Sequence, residues 1–94
     1  MKKDYLIIIP VFNERDVLRE VAISTIQECR NYADILFVND GSTDGSTEVL
    51  EELKLEYPFL NFIHKKKNEG YGASLISGFN YGIYFGYKFW ITMD

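Results

Sequence analysis

Four short apolar runs alternate with longer stretches of helical periodicity along the chain, and this alternation constrains the fold more than any other feature. The first run, residues 5–11, is continuous and rich in isoleucine, which is typical of a strand buried on both faces of a parallel sheet. We predict three further strands at residues 35–38, 59–63 and 89–93. Because strands that alternate with helices are joined by right-handed crossovers, the sequence predicts an α/β fold with a Rossmann-like, open and mostly parallel sheet.

The stretches between these strands predict the flanking helices. Asn13 is a good N-cap, and apolar side chains recur at helical spacing over residues 17–29. A second helix carries the apolar positions of residues 49–57 and ends at Pro58. A third helix is predicted from about residue 72 to residue 86.

The composition fits a small globular domain in a reducing compartment. Of the 94 residues 47% are hydrophobic, and no linker or low-complexity segment divides the chain, so we expect one domain or part of one. The formal charge of −4 argues against nucleic acid as a partner. The lone Cys29 cannot form an internal disulfide, and no apolar stretch approaches the roughly 20 residues of a membrane span. We therefore expect a cytoplasmic setting, with any membrane association arising from parts outside this chain.

Each predicted strand is followed by a polar segment, and these segments should meet at one edge of the sheet, because ligands of open α/β sheets bind outside the carboxyl ends of the strands. After the first strand, Pro10 frees the chain to turn because it lacks the N–H group of a central ladder, and Phe12 could flank a flat base. A strand end followed by a capped helix explains residues 10–14 equally well, so this segment needs support from the others.

The segment after the second strand delivers a carboxylate and small residues to the same edge. Asp40 is placed to accept hydrogen bonds from a base or a ribose. We interpret Asp44 as a structural residue that caps and charges the start of the second helix. A calcium loop is an alternative, since five residues fall near EF-hand positions: Asp40, Ser42, Asp44, Gly45 and Glu51. The strand before Asp40 argues against it, because an EF-hand has an entering helix there.

The last two segments add a glycine loop with lysine charge and a final carboxylate. Gly70 and Gly72 let backbone amides approach an anion at the start of the third helix, and Lys67 is the nearest cation. A phosphate is the expected guest, although a glycine pair alone is weak support. Asp94 follows the fourth strand and is either a plain polar residue or half of a metal site.

Together and in this order, the four segments resemble the motifs of family 2 glycosyltransferases, which have the GT-A fold, and especially those of the polyprenol-phosphate sugar synthases. Residues 10–14 (PVFNE) resemble the P-x-[YF]-N-E motif, and residues 39–44 (NDGSTD) resemble [DN]-D-G-S-x-D. Residues 67–73 (KNEGYGA) resemble [RK]-N-x-G-x-G-A, and residues 93–94 (MD) resemble the opening of M-D-x-D. The resemblance covers nearly the whole chain.

The resemblance implies a set of residues that bind the donor substrate, a nucleoside-diphosphate sugar: Pro10, Phe12, Glu14, Asp40, Lys67 and Asp94. Asp40 would contact the base, Lys67 would lie near the base or the diphosphate, and Asp94 would be the first carboxylate of the metal motif. Phe12 departs from the commoner tyrosine and lacks its hydroxyl group. Asn39 replaces a frequent aspartate and is left out of the expected site.

The resemblance also implies a reaction, the transfer of the sugar to a hydroxyl or phosphate acceptor such as polyprenyl phosphate or a growing glycan. Mg²⁺ or Mn²⁺ would neutralise the charge that develops on the leaving diphosphate. A polyprenyl-phosphate acceptor would bring the complete protein to the cytoplasmic face of a membrane.

The second metal carboxylate, the catalytic base and the acceptor site would follow residue 94. We therefore expect residues 1–94 to be the N-terminal nucleotide-sugar-binding part of a glycosyltransferase domain, truncated at the metal motif and inactive alone. The alternative from another class is a non-catalytic nucleotide-binding fragment or a degraded relative. The apolar fourth strand, left at an edge, predicts self-association of this piece.

Two other nucleotide-binding classes are excluded by the order of the motifs. A nucleotidyltransferase would carry its glycine-rich phosphate loop directly after the first strand, where this chain has residues 10–14. A dinucleotide-binding oxidoreductase would carry a G-x-G-x-x-G motif at the same place. The sequence also lacks a P-loop.

Overall fold

The structure, a computed structural model, describes residues 1–93 as one sheet covered by helices. The strands are β1 (Tyr5–Val11), β2 (Ala33–Asn39), β3 (Asn61–His64) and β4 (Phe89–Thr92). The helices are α1 (Arg15–Cys29), α2 (Ser46–Glu56) and α3 (Tyr71–Tyr84). Strands and helices alternate strictly, which confirms the predicted Rossmann-like α/β class.

The four described strands run parallel in the order β3-β2-β1-β4. In the centre of the sheet, Ile7 of β1 pairs with Ile35 of β2 on one side and with Ile91 of β4 on the other. The strand order reverses at β1, because the chain moves outward through β2 to β3 and then returns to the opposite side for β4. This switch point places the ends of β1, β2 and β3 around one crevice.

Two hydrophobic layers hold the helices against the two faces of the sheet. On one face, Ile7 and Ile9 of β1 pack in a cluster with Ile26 of α1 and Leu50 of α2. A second cluster covers the other face of the same strands and consists of Leu6, Ile8, Leu36 and Val38. Phe79 and Tyr81 of α3 pack against it. Continuous apolar strands are therefore required, since both sets of side chains are buried.

Helix α3 lies close to the sheet because Gly78 faces β1. A β-carbon on Gly78 would stand 2.5 Å from Cγ2 of Ile8, which is closer than two carbon atoms can approach without displacement. The small residue lets the helix backbone rest directly on the strand.

Two predicted boundaries were wrong for identifiable reasons. Asn13 is not the N-cap of α1, a position that Glu14 occupies. Instead Asn13 has a positive φ of 50° and its side-chain oxygen accepts a hydrogen bond from the Thr43 backbone at 2.8 Å. The third strand begins at Asn61, since Phe59 lies exposed in a turn that follows α2.

No helix within residues 1–93 combines the length and the apolar character that a membrane-spanning segment requires.

Candidate functional site

A pocket of about 540 Å³ opens at the carboxyl edge of the sheet, where the loops after β1, β2 and β3 converge. Each of these loops contributes to the wall, and so does the first turn of α3. The lining residues are Pro10, Val11, Phe12, Glu14, Asp40, Asn68, Gly70, Tyr71 and Ser74. Its position at the topological switch point is the one that parallel α/β sheets use for ligands.

The wall of the pocket is largely apolar and aromatic. Phe12, directly after β1, is 43% exposed, and Tyr71 at the start of α3 is also exposed. Pro10 and Val11 complete this side of the pocket. Aromatic and apolar walls of this kind suit a flat ring, because stacking needs only a π-face and not a particular pattern of polar groups.

Hydrogen bonds tie the loop after β1 to the loop after β2. The backbone N–H of Asn13 donates to Ser42 Oγ at 3.1 Å, and the N–H of Glu14 donates to Ser46 Oγ at 3.1 Å. With the bond from Thr43 to Asn13 already described, these contacts join two segments about thirty residues apart in sequence. The two loops therefore form one unit that positions Phe12 and Asp40.

Asp44 belongs to this scaffold and is absent from the pocket lining, which confirms its structural role, although Gly45 and not Asp44 occupies the N-cap position of α2. Its Oδ1 accepts hydrogen bonds from the backbone N–H and the hydroxyl of Ser46, at 2.9 and 2.6 Å. Its Oδ2 accepts one from the N–H of Arg15 at 3.1 Å, so a single carboxylate serves the starts of both α1 and α2. The hydrogen bond from the Ser46 hydroxyl, above all, lowers the pKa of Asp44 below its ordinary value.

Asp40 links the three loops from the inside of the site. The residue is only 3% exposed, and its own N–H donates to the Val11 carbonyl at 2.8 Å. Oδ1 accepts from the N–H of Glu69 and Oδ2 from the N–H of Gly70, both at 2.9 Å. Each oxygen keeps a further lone pair, so the carboxylate shapes the loop before α3 and can still accept hydrogen bonds from a ligand.

These bonds change the interpretation of the glycine loop. The N–H of Gly70, which the sequence suggested for an anion, already donates to Asp40. A buried carboxylate therefore lies beside the start of α3, where it would repel a phosphate group. The chemistry around Asp40 and Gly70 suits a neutral hydrogen-bonding ring better than a diphosphate.

Ser74, in the fourth position of α3, is fully buried, and its Oγ has no hydrogen-bond partner within the described part of the chain. The residue also forms part of the pocket wall. It was not among the predicted site residues, although it ends the glycine segment that the sequence singled out. The sequence does not reveal that this hydroxyl is unpaired, because a serine in a helix ordinarily bonds to the backbone of its own helix.

The structure brings four of the predicted site residues together in one pocket: Pro10, Phe12, Glu14 and Asp40. Lys67 has an exposed side chain and lies outside the lining of this pocket. Asp94 lies outside the residues that the structure describes. The sequence missed Asn68 and Tyr71, which line the pocket beside the predicted glycine loop.

A calcium loop is not compatible with the observed geometry. Asp40 turns toward Gly70, whereas Asp44 turns toward Ser46, so the two carboxylates hold different backbone segments. A strand, β2, precedes Asp40 in place of an entering helix. Over residues 1–93, no group of three or more His, Cys, Asp or Glu side chains is arranged to hold a metal ion.

The fold and the pocket place a candidate ligand site at the carboxyl edge of a parallel α/β sheet, and comparison with known proteins gives the family. Residues 6–83 match the family described as "Glycosyl transferase family 2". The match covers most of the chain, so this protein belongs to glycosyl transferase family 2.

Two individual proteins are similar to most of this chain. The chain is 34% identical over 90 residues to the polyprenol monophosphomannose synthase of Mycolicibacterium smegmatis, covering 95% of this chain and 34% of that protein. It is 30% identical over 89 residues to the undecaprenyl-phosphate mannosyltransferase of Micrococcus luteus, covering 95% of this chain and 36% of the relative. The chain therefore spans about a third of the length of these relatives.

A solved structure shares the fold. The mannosyltransferase PcManGT from Pyrobaculum calidifontis, in complex with GDP-Man and Mn²⁺, superposes with a TM-score of 0.71. The superposition covers 86% of this chain and 25% of that chain, at 20% sequence identity. At this identity the likeness concerns the fold, and it confirms the GT-A architecture expected from the sequence.

Proposed function

We propose that this chain supplies the nucleotide-binding half of a glycosyltransferase that takes its sugar from a nucleoside diphosphate. The observation that carries the proposal is the single pocket built by the loops after β1, β2 and β3, with four of the expected donor-binding residues in its wall. Membership of glycosyl transferase family 2 supports the reaction class.

The chemistry of the pocket favours the nucleoside end of the donor. Phe12 offers an exposed aromatic face for the base, and Asp40 offers carboxylate lone pairs for its N–H groups. The phosphates would leave the pocket away from Asp40, because the buried negative charge of that residue repels them. Further polar side chains of the wall belong to Glu14, Asn68, Tyr71 and Ser74.

The diphosphate would be held with Mg²⁺ or Mn²⁺, and the fold neighbour, whose complex contains GDP-Man and Mn²⁺, supports this expectation. Residues 1–93 do not themselves fit such a metal, because no suitable cluster of ligands converges within them. No chemical step is therefore assigned to a metal held by these residues. In the complete enzyme, Asp94 would be the first ligand, and Lys67, which is exposed in the loop before α3, would be the cation for the diphosphate.

The acceptor of the complete protein would be a polyprenyl phosphate, with a growing glycan as the second possibility. The names of two relatives, a polyprenol monophosphomannose synthase and an undecaprenyl-phosphate mannosyltransferase, support the lipid phosphate. Such an acceptor lies in a membrane, so the enzyme would act at the cytoplasmic face through parts outside this chain.

Calorimetric titration of the 94-residue chain with GDP, UDP and ADP tests the proposal. We expect GDP or UDP to bind with a dissociation constant in the high micromolar to millimolar range, roughly −4 to −6 kcal/mol, because one wall of the site is supplied elsewhere. Phe12→Ala should weaken this binding. The matched variant Phe59→Ala removes a similarly exposed ring outside the pocket and should leave it unchanged. Equal effects of the two variants, or tighter binding of calcium than of any nucleotide, would contradict the proposal.

A further inference from the structure

Ser74 differs from two other hydroxyl-bearing residues of the helices, Thr25 and Ser77, in how its hydroxyl is used. Thr25 in α1 donates to the Val21 carbonyl at 2.8 Å, and Ser77 in α3 donates to the Ala73 carbonyl at 3.0 Å. Both follow the common pattern of bonding one turn back along the helix. Ser74 Oγ has no partner within residues 1–93, although Ser74 is completely buried. Burial of an unpaired hydroxyl is unfavourable, and an alanine would fill the same place without that cost.

The place of Ser74 connects this unpaired group with a ligand. Ser74 lines the same pocket as Phe12 and Asp40. Its Oγ is closed to water in the present side-chain arrangement, so a rotation about the Cα–Cβ bond or a shift of a neighbouring wall residue would expose it to the pocket. Such a rotation moves Oγ between staggered positions and needs no change in the helix backbone.

We infer that Ser74 is a specificity-determining residue whose hydroxyl donates to a carbonyl oxygen of the nucleotide base, beside the carboxylate of Asp40. This inference rests on the proposed function and adds which chemical groups of the nucleotide base the pocket recognises. Asp40 can only accept hydrogen bonds, since both of its oxygens are acceptors, and it pairs best with an acidic ring N–H. Uracil and guanine carry a ring N–H next to a carbonyl group. Adenine and cytosine offer a less acidic exocyclic amine at the corresponding edge.

The chain offers a matched pair of variants for the test. Ser74→Ala removes the unpaired hydroxyl, and Ser77→Ala removes a hydroxyl from the next turn of α3 that bonds to its own helix. UDP, GDP and ADP are titrated into the wild-type chain and both variants, with binding followed by backbone-amide chemical shifts. Of UDP and GDP, one should bind the wild type more tightly. We expect Ser74→Ala to lower the affinity for that nucleotide about three- to tenfold, which corresponds to the loss of one neutral hydrogen bond. ADP affinity should change less, and Ser77→Ala should leave all three affinities unchanged.

Thermal unfolding of the ligand-free proteins gives a second measurement. Ser74→Ala should unfold at the same temperature as the wild type or above it, because it buries no unpaired hydroxyl. Unchanged UDP and GDP affinities in Ser74→Ala would overturn the inference while leaving the proposed function in place. A wild-type chain that binds neither UDP nor GDP would overturn the proposed function first, before any variant is compared.

Discussion

The α-carbon of Gly41 lies against the backbone of Lys67, so closely that a β-carbon on Gly41 would stand 2.3 Å from the Lys67 carbonyl carbon. Gly41 also has a positive φ of 69°, a conformation that side-chain-bearing residues rarely adopt. At position 41, therefore, only a glycine lets the loop after β2 approach the loop after β3 this closely. This contact and the bonds of Asp40 hold the same pair of loops together.

Gly41→Ala should destabilise the protein and displace the loop before α3. The backbone strain and the collision with Lys67 together should lower the free energy of unfolding by about 2–5 kcal/mol. Urea denaturation measures this loss. Gly86→Ala is the matched control, because Gly86 has a φ of 76° but nothing within 4 Å of the added carbon, so only strain of about 1–2 kcal/mol is expected. Equal losses in the two variants would show that the loops do not press on each other.

Asp44 should make the stability of the fold sensitive to acid. Its folded-state pKa is lowered, first by the Ser46 hydroxyl and then by the backbone bond from Arg15, so it stabilises the fold above the unfolded-state pKa of about 4. This stabilisation is lost as the pH falls through the lower, folded-state pKa. The melting temperature of Asp44→Asn should therefore fall less than that of the wild type as the pH is lowered from about 5 to about 3. Parallel curves for the two proteins would exclude this role.

The elements of the fold could be predicted because their signals are local. Each strand is an apolar run, and each helix shows its spacing within about fifteen residues. The prediction for Asn13 was wrong because its contacts are not local. Its backbone N–H donates to Ser42 Oγ, and its side-chain oxygen accepts from the Thr43 N–H, both in the loop after β2. A good N-cap residue was used for a contact between loops, which no local pattern indicates.

The site was predictable in position and only partly in detail. The rule that ligands bind at the carboxyl ends of parallel strands places Pro10, Phe12 and Asp40 at one edge, as the structure does. It does not tell which side chains the loops turn inward. The exposed Lys67 is absent from the pocket lining, whereas Ser74 belongs to it. The bonds from Glu69 and Gly70 to Asp40 hold the chain before α3 in this arrangement.

Asp40→Ala should lower nucleotide affinity and keep the sheet intact. The change removes a buried acceptor of charge-assisted bonds, which should weaken binding by about 1.5–3 kcal/mol. The N–H groups of Glu69 and Gly70 also lose their acceptor, so the loop should become more mobile. Calorimetry of UDP and GDP binding measures the first effect. Asp44→Asn, in the same loop but outside the pocket, should bind nucleotide with the affinity of the wild type. If Asp40→Ala also kept the wild-type affinity, Asp40 would only shape the loop and would not bind the nucleotide.

The 94-residue chain should self-associate through β4. Within the described residues this strand pairs only with β1, and Phe89, Trp90 and Ile91 are exposed on it. Unpaired apolar edges pair readily with a second copy. Sedimentation at micromolar concentration should show dimers or larger species, and Ile91→Lys should shift them toward monomer. Leu55→Lys places the same charge on an exposed apolar site of α2 and should have no such effect. A stable wild-type monomer would contradict this prediction.

Backbone-amide mapping of nucleotide binding tests the central claim most directly. With GDP or UDP at millimolar concentration, we predict saturable shifts at Phe12, Asp40, Gly70 and Ser74, which share one pocket although they come from three loops and the start of α3. The groove between α1 and α2, which Arg19 and Glu52 line, should remain unchanged and serves as an internal control. Shifts confined to that groove, or no saturable shift with either nucleotide, would contradict the claim that this pocket receives the nucleotide.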